Sequence, residues 1–127
     1  MPPRRCPCGT GLTYAECCGP LHDGTAAAAT AEQLMRSRYS AFAVGDAAHL
    51  HATWDPATRP RSLEFDPAVR WTGLEVLGST GGRVFDAEGT VEFRAHSRVG
   101  GVDRVQAERS RFRRVDGRWV YVDGALS

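Results

Sequence analysis

The chain is 127 residues long and 42% apolar, with a formal charge of +1, and all four of its cysteines lie in the first 18 residues. Length and composition leave room for one domain with a real core plus a short appendage. A balance this close to zero, which four zinc-bound thiolates would carry only slightly negative, excludes broad electrostatic capture of nucleic acid. All 16 basic residues are arginine, which excludes lysine Schiff-base and lysine-nucleophile chemistry.

The start, Met1 to Cys6, is charged and is followed by no apolar run of signal-peptide length. Ala26 to Ala29 is too short a small-residue run to span a membrane. A reducing cytoplasm is therefore expected, and there cysteine clusters hold metal more often than they form disulfides. The spacing is C-x-C-x8-C-C, as Cys6, Cys8, Cys17 and Cys18. Four thiolates satisfy tetrahedral zinc and leave no position for water, so the pattern reads as one structural zinc per chain. Gly9 and Gly11 allow a sharp turn that aims amide N–H groups at the sulfurs, and Arg4 and Arg5 add positive charge. Two disulfides are the competing reading, although the adjacent Cys17 and Cys18 could not bond to each other without strain. His22, four residues past Cys18, could replace it as the fourth ligand.

Residues 1–24 otherwise read as a Gly- and Pro-punctuated loop, and residues 25–30 as a connector. Thr30 is the expected N-cap of a first helix, with Gln33 completing a capping box. Leu34, Met35, Tyr39 and Phe42 follow at helical spacing, and Gly45 is a natural stop. Asp46 caps a second short helix carrying Ala47, Leu50 and Trp54. Pro56, Pro60 and Pro67 mark a surface loop. Strands are expected near 71–78, 90–98, 104–115 and 118–123, with 80–89 poorly defined.

Two turns set the register. Asp116-Gly117 closes a two-residue hairpin that puts Arg114 opposite Trp119, Phe112 opposite Tyr121 and Ser110 opposite Asp123. Gly100-Gly101 closes the preceding one and puts Phe93 opposite Glu108 and Val91 opposite Ser110. One sheet face then gathers Val91, Phe93, Ala95, Phe112, Trp119 and Tyr121, with Glu108, Ser110 and Asp123 among them. The other gathers Glu92, Arg94, Arg109, Arg111 and Arg113. Two helices before an antiparallel sheet give an α+β class with the helices on one sheet face.

Glu108, Ser110 and Asp123 are the candidate pocket residues, able to serve as acid, base or ligand if the sheet's inner face opens to solvent; pairing at the sheet rim is the bland reading. His49 and His51 point in different directions on a helix and read as surface or helix-end residues, as does His96. Arg36 and Arg38 read as solvated helix charges, and Trp54, Trp71 and Trp119 as packing. The arginine face could meet RNA phosphates, but Glu92 neutralises part of it and no aromatic is interleaved for stacking.

The segment CPCGTGLTYAECCGPLH, from Cys6 to His22, resembles the SEC-C motif, the zinc element known from the tail of the translocation ATPase SecA. TAEQLMRSRYSAF (Thr30 to Phe42), GTVEF (Gly89 to Phe93), SRF (Ser110 to Phe112) and GRWVYVDG (Gly117 to Gly124) are similar to the uncharacterised bacterial YchJ family. The resemblance implies the cone-like fold of nuclear transport factor 2 for residues 25–127, after a knuckle in residues 1–24. The expectation is a non-enzymatic module that docks another protein. Nucleic acid and membrane partners are not expected, and a homodimer through the sheet is a competing assembly. The alternative is a small enzyme or ligand binder using the cone interior, with Glu108 or Asp123 as acid/base.

Overall fold

The computed structural model describes residues 4–126, so the reading of the first residues, Met1 to Pro3, lies outside it. A short 3-10 turn (Tyr14–Glu16) and a helix α1 (Gly19–Asp23) follow the first cysteine pair. Two further helices, α2 (Ala31–Val44) and α3 (Ala47–Ala52), precede four strands: β1 (Val69–Gly81), β2 (Glu88–Val99), β3 (Val102–Val115) and β4 (Arg118–Leu126). Residues 1–24 are thus not all loop. A five-residue helix beginning Gly-Pro is too short to display an apolar period.

The helix ends follow from their caps. Thr30 Oγ1 accepts from Gln33 N at 3.1 Å, and the Gln33 side chain accepts from Ala29 N at 2.7 Å. Gly45 ends α2 in the left-handed region at φ 79°. Asp46 Oδ1 then accepts from His49 N at 3.0 Å and starts α3. That helix stops at Ala52, short of the expected Trp54.

The four strands form one antiparallel meander in the order β1-β2-β3-β4. Asp116 and Gly117 both take positive φ, 51° and 79°, the geometry a two-residue hairpin needs. Their register places Arg114 opposite Trp119 and Phe112 opposite Tyr121. The β2–β3 hairpin at Gly100-Gly101 puts Phe93 opposite Glu108, Val91 opposite Ser110 and Glu92 opposite Arg109. Irregularities at Trp71/Gly73 and Val76/Gly78 bend β1, and a bulged strand twists its sheet into a curve.

α2 lies across the concave face. Ala31, Leu34, Met35 and Tyr39 pack against Val91, Phe93, Ala95, Phe112 and Trp119 to form the main core. The opposite side of α2 is covered by the cysteine segment. Ser37 and Ser40 are buried there, beside His22 and Cys6, while Arg38 is buried against Trp54 and Tyr121.

Candidate metal centre

The chain turns back on itself through paired backbone hydrogen bonds, Cys6 N to Leu12 O and Tyr14 N to Arg4 O, both 2.9 Å. Gly9 and Gly11, at φ 83° and 87°, make the turn possible. Thr13 caps the 3-10 turn that delivers Cys17 and Cys18. The result brings the Sγ atoms of Cys6, Cys8, Cys17 and Cys18 within 4.8 Å of one another, and no disulfide joins them. A tetrahedron of thiolates around a metal at about 2.3 Å has edges of about 3.8 Å. Cys8 and Cys17 are 3.5 Å apart, and Cys17 and Cys18 are 3.9 Å apart. The donor set therefore fits a four-coordinate metal. Cys6, Cys8 and Cys18 are buried and Cys17 is half-buried.

Without metal, Cys8 and Cys17 are pushed in opposite directions. A hydrogen bond with Cys18 draws the Cys8 pKa down to about 4, while burial pushes Cys17 up to about 11. Cys18 is also raised, first by its bond to Cys8. Thr10 Oγ1 lies 3.2 Å from Cys17 Sγ and 3.7 Å from Cys8 Sγ.

His22 is not part of this cluster. Its side chain is 4% exposed, with Nδ1 2.6 Å from the Tyr14 hydroxyl and Nε2 2.7 Å from the Ser37 carbonyl. Both ring nitrogens are thus engaged, Nδ1 within the cysteine segment and Nε2 in joining it to α2. Next to it lies His49, whose Nε2 meets Ser37 Oγ at 2.9 Å. His49 corrects the surface reading given to it: it is buried, and its ring centroid is 4.6 Å from that of His22. His51 is exposed and His96 sits on the outer face with Glu75, 2.5 Å away.

Burial, helped by the nearby His22 and Arg38 and opposed by Asp46, lowers the His49 pKa to about 4. The folded protein then holds His49 neutral where the unfolded chain would protonate it. That contribution is fully present above about pH 6.5 and is lost as pH falls toward 4. Between pH 7 and 4.5 the wild type should lose about 2 kcal/mol more than His49→Gln, measured by urea unfolding. Parallel losses in the two proteins would show that His49 does not carry the effect.

The candidate pocket residues separate. Glu108 and Ser110 are on the concave face as expected. Asp123 is not, and the expected pairing of Ser110 with Asp123 is corrected. A β-bulge at Val122 shifts the register so that Ser110 faces Gly124 and Arg111 faces Asp123. Asp123 consequently turns outward, where Arg111 grips it through two bonds of 2.7 and 2.5 Å and holds its carboxyl below the usual range. Tyr121 stays on the inner face, as expected, opposite Phe112. A side-chain carbon at Gly124 would lie 3.1 Å from both Ser110 Oγ and Tyr121 Oη, and 3.3 Å from Glu108 Oε2. Ser110 is 1% exposed and its buried Oγ has no hydrogen-bond partner among the described residues. Gln106 donates to the other Glu108 oxygen.

The reading of Arg38 as a solvated helix charge is corrected, and the buried Asp55 escaped the sequence reading altogether. Arg38 is 4% exposed, stacked with its Cζ 4.9 Å from the Trp54 ring and 4.6 Å from the Tyr121 ring, and it donates to Leu50 O and Thr53 Oγ1. Desolvation lowers its pKa to about 10, which still leaves it charged at neutral pH. Asp55 is buried and accepts twice from Arg113, at 2.5 and 2.8 Å, which holds its pKa down to about 2. No helix among the described residues is long and apolar enough to cross a membrane.

A four-cysteine knuckle joined to a helix-backed curved sheet defines a SEC-C motif followed by an NTF2-like domain. Residues 5–20 match the SEC-C motif and residues 30–124 match the middle NTF2-like domain of YchJ. The chain belongs to the YchJ-like family. It is 57% identical to a UPF0225 protein of Streptomyces coelicolor, over 98% of this chain and 97% of that one. A UPF0225 protein of Corynebacterium efficiens is 56% identical over 97% of this chain and 94% of the relative. Among solved structures, a SEC-C motif-containing protein of Rhodopseudomonas palustris superposes with a TM-score of 0.84 at 40% identity, covering 96% of this chain and 98% of that one. One from Psychrobacter arcticus gives 0.77 at 29%, covering 96% and 82%.

Proposed function

We propose that the protein is a cytoplasmic interaction module whose metal is structural zinc and whose cysteine knuckle docks another protein. The observation that supports this most is the closed donor set: four converging thiolates leave no coordination position for water or substrate. Leu12 stands 49% exposed on the returning arm of the knuckle turn and offers a partner an apolar contact. The outer arginines do not form a free phosphate-binding stripe, since Arg111 and Arg113 are paired with Asp123 and Asp55, and Glu92 faces Arg109. The SecA tail supports the reading by analogy alone. A photo-crosslinking residue at position 12, used in intact cells, is expected to give a discrete protein adduct that disappears with Cys8→Ser. No adduct, or the same adduct with the knuckle disrupted, would contradict the docking role. An adduct to a second copy of this chain would turn the reading toward a homodimer.

A second reading, a ligand in the cone interior, is favoured by the orphaned Ser110 Oγ beside Glu108 and Tyr121. A carboxylate in a structural pair is costly to disturb, whereas one facing an open site is not. If the interior holds a ligand, Glu108→Gln should leave the melting temperature within about 2 °C of the wild type. A fall of about 5 °C or more would assign Glu108 to the framework.

A further inference from the structure

The face of α2 that meets the knuckle presents two polar residues one helical turn apart, Arg36 and Ser40. Arg36 Nη1 donates to the Cys8 carbonyl at 2.8 Å, which fixes the backbone of the first cysteine pair. Ser40 is 0% exposed, and its Oγ lies 3.8 Å from Cys6 Sγ, within hydrogen-bond reach for sulfur. Its hydrogen-bond partners are sulfurs of the cluster: Cys6 at that distance, and Cys18 as well. Most hydroxyls sealed from water in this way donate to a protein partner within reach. The neighbouring Ser37, also fully buried, differs because its hydroxyl is taken by Leu34 O at 2.7 Å and by His49.

We infer that Ser40 donates a hydrogen bond to the metal-bound Cys6 thiolate, so that the NTF2-like domain completes the metal centre and zinc retention depends on it. A bound thiolate carries excess negative charge in a buried place, and a hydroxyl dipole aimed at it offsets part of that charge. Within the knuckle, Thr10 Oγ1 stands in the same relation to Cys17, at 3.2 Å. Cys6 has no such donor of its own among the described residues, and α2 supplies one. The knuckle is therefore not a self-sufficient zinc element hung on a separate domain. This inference rests on the zinc reading of the four cysteines.

The test is zinc affinity by competition with a chromophoric chelator, using full-length Ser40→Ala with Ser37→Ala as the comparison. Alanine is the better helix former, so α2 is retained in both. Ser40→Ala is expected to weaken zinc about tenfold or more, the range found when outer hydrogen-bond partners of metal ligands are removed. Ser37→Ala should leave affinity within about twofold, since its hydroxyl touches no sulfur and it lies outside the range for such partners. A second readout is the thiolate-to-metal charge-transfer band of the cobalt-loaded proteins. Loss of the bond raises the sulfur lone-pair energy, so the band should move to longer wavelength in Ser40→Ala alone. Equal affinities and equal bands in wild type and Ser40→Ala would overturn the inference. Equal weakening in both variants would overturn it too, by tracing the effect to general loosening of α2. A wild type that binds neither zinc nor cobalt would instead overturn the zinc reading beneath it.

Discussion

Deleting residues 1–24 is expected to leave a domain that still melts cooperatively, but about 20 °C lower than the full chain. The main core contains no residue of that segment: Ala31, Leu34, Met35 and Tyr39 meet Val91, Phe93, Phe112 and Trp119 without it. Cooperative folding therefore survives. What goes is the cover on the other side of α2. Leu21 loses its buried site, worth about 2 kcal/mol, and the bonds from His22 to Ser37 O and from Arg36 to Cys8 O are lost, worth about 1 kcal/mol each. Thermal unfolding followed by circular dichroism measures this. A molten or insoluble product would mean that the two parts share one core, and no change in melting temperature would mean that the interface contributes nothing.

Arg38→Ala is expected to cost about 3 kcal/mol, comparable to truncating a large core side chain. The guanidinium fills the space between Trp54 and Tyr121, and its removal leaves a void there. It also strips a donor from Leu50 O and from Thr53 Oγ1. Arg38→Met, which refills the volume but restores neither bond nor charge, should recover roughly half of the loss. Chemical denaturation of both variants separates the terms. If Arg38→Met is as stable as the wild type, the charge and its bonds add nothing to packing.

Both expectations turn on features that the sequence conceals for an identifiable reason. Thr30, Gly45, Asp46, Asp116-Gly117 and Gly100-Gly101 act within a few residues of chain, so helix ends and hairpins were legible. The four cysteines were legible because metal ligation restricts residue type and spacing together. Arg38, His49 and Asp55 were not. Their burial comes from other segments: Arg38 on α2 is covered by Trp54 and Tyr121, His49 packs on His22 and Ser37, and Asp55 is sealed by Arg113 of β3, so each loses the exposed face that periodicity assumes. Asp123 was misplaced by a single residue. Counting by twos from the Asp116-Gly117 turn fails once β4 carries one extra residue, and the stretch in question is also bonded by Thr53, Asp55 and Thr58. The bulge exchanges an inward carboxylate for a surface ion pair and leaves Tyr121 with Ser110 and Glu108 inside.

The most direct test of the account is the metal content of protein purified without added metal, measured by elemental analysis with free-thiol counting. One zinc per chain is expected, lost on Cys8→Ser and unaffected by His22→Gln, because the His22 nitrogens serve Tyr14 and Ser37 instead. Zinc near zero, with Cys6 and Cys8 recovered in disulfides, would contradict it.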